Sequence, residues 1–392
     1  MENPATAKGV LPKKISLPTQ AVINTTKAKI PLAKPIFDKE MKKAAINALW
    51  NEHFVLGESV YKFEEEFAKY CSVDYAVSTN SGTDALQIAL KALGVVQGQQ
   101  VMTSPASFVA SSNVILHVDA EPIFSDIDLK TYTIDPEQMK QKIKRARAVI
   151  PVHLYGYPAD MDSINKIAEK YRSYVVEDAC QAHGAVYEGR KVGSLGKVAC
   201  FSFYPSKNMM VAGDGGILVT DDKKVANIAS KLRDCGRRSQ YVHDLIGYTA
   251  RLNTVNASIG RVQLKHLDEW NEKRRRNASI YNRLLSDIDG LILPPEGDDK
   301  THPVYHLYVI RTKNRDGLKV LLESNGIQCG IHYCLPIHLQ PVYKKMFGFK
   351  EGMYPGSEEL CRTCLSIPMY PDLTRKQIDF VSEKIHEFLI AG

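Results

Sequence analysis

The chain has 392 residues, of which 44% are hydrophobic, and its formal net charge at pH 7 is +7. This length predicts one large and one smaller domain, each with its own core. The mild positive charge suits an anionic ligand but does not indicate a nucleic-acid-binding protein, because lysine and arginine are interspersed with acidic residues.

Membrane and secretory signals are missing from the sequence. No apolar run approaches the roughly 20 residues that span a bilayer, and the N-terminus lacks the apolar region of a signal peptide. We therefore expect a cytoplasmic protein with no membrane partner. Eight scattered cysteines predict free thiols in a reducing compartment. The single CxxC motif, Cys361 to Cys364, has no second ligand pair nearby, so we predict structural cysteines and no metal site.

The first part of the chain predicts an extension followed by two helices. Residues 1–30 mix Pro, Thr, Lys and Ala without periodicity and predict a flexible or loosely docked extension. Apolar residues then recur at helical spacing over residues 39–49 and 60–70.

An anion site is predicted directly after these helices. A short strand from Tyr75 leads through a turn containing Ser81, Gly82 and Thr83 into a helix that extends to Leu93. The start of such a helix presents unpaired backbone N–H groups and the positive end of the helix dipole. Gly82 and Thr83 are the candidate phosphate ligands, and an ordinary Ser/Thr helix cap is the alternative.

Strands and helices alternate over the next hundred residues. Strands are predicted at 122–128 and 148–154, and helices at 136–145 and 162–172. This alternation predicts an α/β fold with a mostly parallel, doubly wound sheet. His153 falls at a strand end near the predicted cleft, but we interpret it as an uncharged packing histidine.

The stretch from residue 174 to residue 220 carries the strongest chemical pattern. An apolar run at 174–176 predicts a buried parallel strand that delivers Asp178 to a cleft. A second run at 198–203 precedes Lys207, and the glycine-rich segment 213–216 follows. Burial disfavours the ammonium form of a lysine and leaves a free amine for Schiff-base chemistry.

This arrangement suits pyridoxal phosphate. A carboxylate at position 178 would keep the pyridine nitrogen protonated, so that the ring accepts the electrons of a carbanion. The alternatives are an N-cap role for Asp178, a solvated surface position for Lys207 and an ordinary turn for the glycines.

The last third of the chain predicts a helix at 224–235 and a long helix that extends to Asn277 and bridges two domains. The basic run Lys273 to Arg276 is interpreted as a solvated helix end. From about Leu291, strands and helices predict the smaller α/β domain.

Three segments, EDACQAHGA, GSLGKVACFSFYPSKN and GDGGILVTDD, give the chain its resemblance to a known family. From about Ile30 to the C-terminus it resembles the DegT/StrS family of nucleotide-sugar aminotransferases, a branch of fold type I pyridoxal phosphate enzymes. Together with the composition and the pattern of elements, the resemblance predicts an N-terminal extension (1–30), a large cofactor-binding domain (31–255), and a linking helix with a small C-terminal domain (256–392). It also implies pyridoxal 5'-phosphate bound as a Schiff base to Lys207.

Further site residues follow from the resemblance alone. It implies that Phe108 stacks on the pyridine ring, that Gln181 hydrogen-bonds near the phenolic oxygen, and that Ser202 binds the phosphate. An asparagine is expected to reach the partner's phosphate in a homodimer with shared sites, with Asn253 as first choice and Asn256 as rival. The segment from Gly330 to Pro341 resembles the loop that borders the sugar, which makes His332 and Tyr333 candidate substrate contacts; a purely structural role is the alternative. His183 matches a family position without an assigned role.

The resemblance implies an aminotransferase that moves an amino group from an amino acid, with glutamate expected, to the C-3 or C-4 keto group of a nucleotide-linked hexose. The loop motif favours 3-keto sugars slightly. The alternatives are a non-catalytic regulator and a sugar dehydratase of the same family, although the dehydratases replace the lysine with histidine. Cysteine desulfuration would need a mobile cysteine near the cleft, and Cys180 and Cys200 are predicted to be buried.

Overall fold

The structure, a computed structural model, describes residues 29–390. Residues 1–28 of the predicted extension therefore lie outside the described part. Ile30, at the end of that predicted extension, is 4% exposed and pairs with Ile327. The chain is thus already packed against the C-terminal part of the protein at this residue.

Regular secondary structure covers most of the described chain. Its α-helices are α1 (Lys39–Asn51), α2 (Glu58–Cys71), α3 (Gly82–Ala92), α4 (Ala110–His117), α5 (Pro136–Lys142), α6 (Met161–Lys170), α7 (Lys223–Arg233), α8 (Thr254–Leu285), α9 (Arg315–Ser324), α10 (Pro341–Phe347), α11 (Pro355–Thr363) and α12 (Arg375–Ile390). Its strands are β1 (Tyr75–Thr79), β2 (Gln100–Thr103), β3 (Glu121–Phe124), β4 (Ala146–Ile150), β5 (Tyr174–Asp178), β6 (Val186–Tyr187), β7 (Arg190–Lys191), β8 (Val198–Ser202), β9 (Gly216–Thr220), β10 (Arg237–Ser239), β11 (Val242–His243), β12 (Thr301–His302), β13 (Tyr308–Arg311) and β14 (Cys364–Ile367).

A seven-stranded sheet with the order β1-β9-β8-β5-β4-β2-β3 forms the centre of the fold. The strands β3, β2, β4, β5 and β8 run parallel to one another. Strand β9 is antiparallel to both of its neighbours. The prediction of a mostly parallel sheet with helices is confirmed.

The two faces of this sheet support separate hydrophobic clusters. Val175 and Phe201 belong to one cluster, together with residues of α2, α6 and α8. Val176 and Cys200 belong to the other, together with residues of α3, α4 and α7. Neighbouring residues of one strand thus enter opposite cores, because successive side chains of a strand alternate between faces.

A third cluster lies in the C-terminal part of the chain. It is formed by the antiparallel pair β13–β14, the helices α9 and α12, and the C-terminal half of α8. Because the N-terminal half of α8 packs on the central sheet, this helix joins the two parts. The predicted domain boundaries, 31–255 and 256–392, stay predictions.

Helix α8 departs from the sequence prediction in its length. It extends to Leu285 and not to Asn277, because Ala278, Tyr281 and Leu285 continue its buried face into the third cluster. The basic run Lys273 to Arg276 is therefore not a helix end, and Arg274 within it is buried. Within residues 29–390, no helix is both long and apolar enough to cross a bilayer.

Candidate active site

The parallel strands end around a cavity of about 540 Å³. Strand β5 delivers Asp178 to its wall, and β8 delivers Ser202, because the carboxyl ends of parallel strands meet at one edge of a sheet. Nine of the predicted site residues line this cavity: Gly82, Thr83, Phe108, Asp178, Gln181, Ser202, Lys207, His332 and Tyr333.

One end of the cavity is the N-terminus of α3. The hydroxyl of Ser81 accepts a hydrogen bond from the Asp84 N–H at 3.0 Å, which leaves the first-turn N–H groups of Gly82 and Thr83 without an intrahelical partner. A Cβ at position 82 would lie 2.7 Å from the Cβ of Ser202 and 2.8 Å from Sγ of Cys180. Only glycine therefore fits there. Backbone donors at a helix start, with Ser202 beside them, suit a phosphate.

Asp178 is 4% exposed and is held by two donors. Its Oδ2 accepts a hydrogen bond from the Ser111 hydroxyl at 2.7 Å, and its Oδ1 accepts one from the Cys180 N–H at 3.2 Å. Ser107 bonds the same Ser111 hydroxyl at 2.7 Å. These contacts fix the carboxylate at the cavity wall, where it can face a cationic ring nitrogen.

Lys207 lies in the irregular segment between β8 and β9, and its side chain is partly exposed towards the cavity. Burial lowers the pKa of its amine, while Cys180 and Asp178 act in the opposite direction. The amine has no ion-pair partner within residues 29–390. A lysine in such surroundings is more readily deprotonated than a surface lysine, as Schiff-base formation requires.

An aromatic and amide wall completes the cofactor side of the cavity. Phe108 is 51% exposed, and its ring centroid lies 5.9 Å from that of Tyr333. The Gln181 amide accepts a hydrogen bond from the Tyr155 N–H at 2.9 Å and donates one to the Tyr333 hydroxyl at 3.1 Å. Burial raises the pKa of Tyr333, so its hydroxyl stays protonated.

The donor set therefore fits pyridoxal phosphate. Backbone N–H groups, a fixed carboxylate, an exposed aromatic ring and a desolvated amine border one cavity. These groups correspond to the phosphate, the pyridine nitrogen, the ring face and the aldehyde of that cofactor.

The side of the cavity formed by the C-terminal part carries two histidines. Nδ1 of His332 lies 2.9 Å from the Ser366 hydroxyl. Burial, with a further contribution from Lys207, lowers the pKa of His332 to about 4. His306 also lines the cavity and is 5% exposed.

The two candidate asparagines lie outside the cavity lining. Asn253 is exposed and caps α8, where its Oδ1 accepts a hydrogen bond from the Asn256 N–H at 2.9 Å. The amide of Asn256 donates to the Asp214 carbonyl at 3.4 Å, and Asp214 itself lines the cavity. A role of either asparagine at a partner's site stays a prediction.

Two other histidines of the predicted cleft region are packing residues. His153 is fully buried, and its Nε2 lies 3.1 Å from the Glu177 carboxylate. His183 is also fully buried, and its ring packs against Phe201 and Phe203 with centroids 5.3 and 5.6 Å away. Neither histidine lines the cavity.

The cysteines are all free thiols. Cys200 is buried as predicted, but Cys180 borders the cavity, because it follows the end of β5 beside Gly82. Burial raises the pKa of Cys180 well above its usual value, so it is not a thiolate nucleophile.

The two cysteines of the CxxC motif, Cys361 and Cys364, are both buried. Within the described residues, no cluster of three or more His, Cys, Asp or Glu side chains has the arrangement of a metal site.

Several lining residues were missed by sequence reasoning. Ser111 lies four residues after Ser107, and this helical spacing could have indicated a shared target. Leu32 and His306 had no such signal, because both are far in sequence from Lys207 and Asp178 and reach the cavity only through tertiary packing.

Comparisons with known proteins identify the family of the chain. The profile of the DegT/DnrJ/EryC1/StrS aminotransferase family matches residues 35–386. A dTDP-3-amino-3,4,6-trideoxy-alpha-D-glucose transaminase from Streptomyces venezuelae is 40% identical over 350 residues, which cover 89% of this chain and 92% of the relative. A pleiotropic regulatory protein from Geobacillus stearothermophilus is 40% identical over 351 residues, with 89% and 94% covered. The crystal structure of S. venezuelae DesV in complex with a ketimine intermediate superimposes with a TM-score of 0.87 at 40% identity, with 89% and 94% covered.

Proposed function

The chain belongs to the DegT/DnrJ/EryC1/StrS aminotransferase family, and we propose that it transfers an amino group from an amino acid to the keto group of a hexose linked to a nucleoside diphosphate. Its architecture is that of fold type I pyridoxal-phosphate-dependent aminotransferases. One observation carries the proposal: Lys207, Asp178 and the N-terminus of α3 border a single cavity.

The cofactor-facing residues of the cavity have proposed tasks. Gly82 and Thr83, with Ser202, bind the cofactor phosphate, and Phe108 packs on the ring face. Asp178 holds the ring nitrogen in its protonated form, and the Ser111 hydroxyl keeps the carboxylate oriented. The bound cofactor supplies an electron-accepting ring that stabilises a carbanion at the donor's α-carbon.

Lys207 has two proposed tasks. Its amine would hold the cofactor through the cofactor aldehyde, and in its free, unprotonated form it would accept the proton from the donor's α-carbon. The lowered pKa supports both tasks, because only the unprotonated amine is a nucleophile and a base.

The substrate class rests on the relatives. The S. venezuelae transaminase is named for a 3-amino sugar linked to dTDP, and we propose a 3-keto sugar nucleotide as acceptor. Glutamate is the proposed donor. We favour an aminotransferase over a non-catalytic regulator, although one relative has a regulatory name. The support is that Lys207 and all the predicted cofactor ligands except Asn253 line one cavity. A sugar dehydratase is disfavoured by the lysine at position 207.

The proposed enzyme is a homodimer whose partner subunit completes each site through Asn253. Large apolar side chains are exposed on α1 and the following turn, and on the β10–β11 hairpin and the segment directly after it, including Trp50 at 80% and Ile246 at 97%. Such exposed apolar surface is typical of a subunit interface.

A panel experiment tests the function. The purified holoenzyme should lose its yellow colour on addition of glutamate and then aminate one of the 3-keto or 4-keto sugars linked to dTDP, UDP or GDP. NMR of the product locates the new amine. Failure to bleach with any amino acid would contradict the proposal.

The lysine is tested by substitution. We expect Lys207→Ala to bind pyridoxal phosphate without a covalent link and to show no transamination, because the nucleophile and the base are removed together. Lys197→Ala changes a lysine that forms a surface ion pair with Asp222, and it should retain full activity. Transamination by Lys207→Ala, or a borohydride-reduced adduct at another residue, would show that the assignment is wrong.

A further inference from the structure

His306 combines burial with unpaired polar atoms at the cavity wall. The residue is 5% exposed and lines the cavity. Nδ1 is sealed from solvent and has no hydrogen-bond partner. Nε2 makes no hydrogen bond within residues 29–390 and, unlike Nδ1, is not sealed from solvent. Buried polar side chains are normally hydrogen-bonded, so an unpaired imidazole at a cavity wall points to contact with a bound ligand.

The backbone of His306 is fixed from helix α8. Nη1 of the buried Arg274 donates hydrogen bonds to the carbonyls of Tyr305 at 3.1 Å, His306 at 3.4 Å and Met369 at 3.1 Å. On the other side, the backbone of His306 packs closely against Gly156: a Cβ at Gly156 would lie only 2.9 Å from the backbone nitrogen of His306. The imidazole is therefore presented at a defined position, as a recognition group must be.

The charge of His306 restricts what it can bind. Burial lowers its pKa well below the usual value, and the neighbouring side chains of Lys207 and Arg274 lower it further. The ring is therefore neutral and carries one N–H group. Because Nδ1 is sealed off, the proton is better placed on Nε2, where it can reach a ligand oxygen. A neutral donor suits a carbonyl or hydroxyl oxygen better than a carboxylate or phosphate, which favour charged partners.

We propose that His306 is a substrate-binding residue that donates a hydrogen bond from Nε2 to an uncharged oxygen of the keto sugar. This inference rests on the proposed function. The amino donor presents carboxylates, whereas the sugar presents carbonyl and hydroxyl oxygens. His306 therefore acts in the half-reaction with the sugar and not in the half-reaction with the amino acid.

The two half-reactions can be measured separately by stopped-flow absorbance. In His306→Leu, the second-order rate constant for the best keto sugar of the panel should fall about tenfold, which corresponds to about 1.4 kcal/mol. The bleaching rate with glutamate should stay within about twofold of wild type. His306→Gln, whose amide extends to the position of Nε2, should recover the sugar reaction to within about threefold.

Binding to the apoprotein gives a second readout. Calorimetry with the nucleotide-linked amino sugar should show a dissociation constant about tenfold higher for His306→Leu, while that of the free nucleoside diphosphate is unchanged. His183→Phe is the matched control, since it removes a buried, unpaired imidazole that does not line the cavity. It should leave both half-reactions and both dissociation constants unchanged.

Three outcomes would overturn the inference. Equal slowing of both half-reactions would show that His306 acts through Lys207, and an unchanged sugar reaction would show no contact. If His306→Leu does not fold, the comparison of His306→Asn with His306→Gln decides, because the shorter amide should not reach the sugar. If the wild type reacts with glutamate but with no keto sugar, the proposed substrate class is wrong and this inference falls with it.

Discussion

Glu177 and Asp178 are adjacent, yet their side chains have different surroundings because successive residues of a strand point to opposite faces. Asp178 faces the cavity. Glu177 is fully buried and accepts hydrogen bonds from the N–H groups of Gly193 at 3.0 Å, Leu195 at 2.8 Å and Gly196 at 2.6 Å. One carboxylate is thus available for chemistry, and the other holds the loop that precedes β8.

Glu177→Gln tests this structural role. The amide offers one acceptor oxygen in place of two, so at least one loop N–H group would lose its partner. We expect the free energy of unfolding in urea to fall by about 2 kcal/mol. Glu169→Gln, at an exposed position of α6, should change it by less than about 0.5 kcal/mol. Equal stability of the two variants would contradict the role of Glu177.

The pKa of Lys207 should depend on the charge of Asp178. Asp178 raises this pKa against the lowering effect of burial, so Asp178→Asn removes a negative charge that favours the ammonium form. The pKa should therefore fall further, and the apoprotein amine should react at lower pH than in the wild type. Reductive methylation across a pH series, quantified at Lys207 by peptide mass spectrometry, measures the midpoint.

The matched control for the titration is Asp214→Asn. Asp214 also lines the cavity but is not among the groups that shift the pKa of Lys207. Its midpoint should equal that of the wild type. A midpoint for Asp178→Asn above the wild-type value would contradict the assigned electrostatics.

Sequence patterns predicted the cavity best where one short segment supplies several groups. Asp178 and Ser202 are the last residues of two strands, and Lys207 follows the second of them in the same contiguous stretch. Parallel strands bring such ends together. His306 could not be found this way, because its place at the wall depends on the packing of Arg274 against three carbonyls. That contact is tertiary and leaves no local pattern.

Helix α8 shows the same limit at the scale of an element. Its apolar spacing predicted a helix, but not the buried polar residues on it: Gln263, Asn271, Arg274, Asn277 and Asn282. Gln263 accepts a hydrogen bond from the Met210 N–H at 3.1 Å, and Asn271 accepts one from the Asn208 amide at 2.8 Å. The helix therefore holds the segment that carries Lys207 at two points.

Substitution of Asn271 tests whether α8 positions the segment that carries Lys207. Its amide also donates to the His183 carbonyl at 2.8 Å, so Asn271→Leu would leave buried polar groups unpaired on two segments. We expect the free energy of unfolding to fall by about 2 kcal/mol, and the dissociation constant of pyridoxal phosphate to rise because Lys207 is less well positioned. Glu272→Ala, one residue further on the exposed face, should alter neither quantity. Retention of wild-type cofactor affinity by Asn271→Leu would contradict the positioning role.

At the scale of the whole molecule, the exposed apolar side chains lie on segments that flank the start of α8. Val55 pairs with Asn253, and Asp234 at the base of the β10–β11 hairpin pairs with Thr249. The proposed interface therefore surrounds Asn253. Ile246→Asp places a charge on its most exposed apolar residue and should shift the sedimentation coefficient from dimer to monomer. Val320→Asp, at a residue 67% exposed on α9, should leave the dimer intact.

Shared active sites can be tested by mixing two inactive variants. Asn253→Asp keeps the cap of α8 but places a negative charge where a phosphate of the partner's cofactor is proposed to bind, so this variant should be inactive, as should Lys207→Ala. In a mixed dimer, the site with the intact lysine also receives the intact asparagine from the other subunit. Random reassociation after mild dissociation should therefore restore about a quarter of wild-type activity.

If Asn253 acts within its own subunit, every site in the mixture carries a defect and no activity returns. If Asn253→Asp alone is fully active, Asn253 does not bind the phosphate.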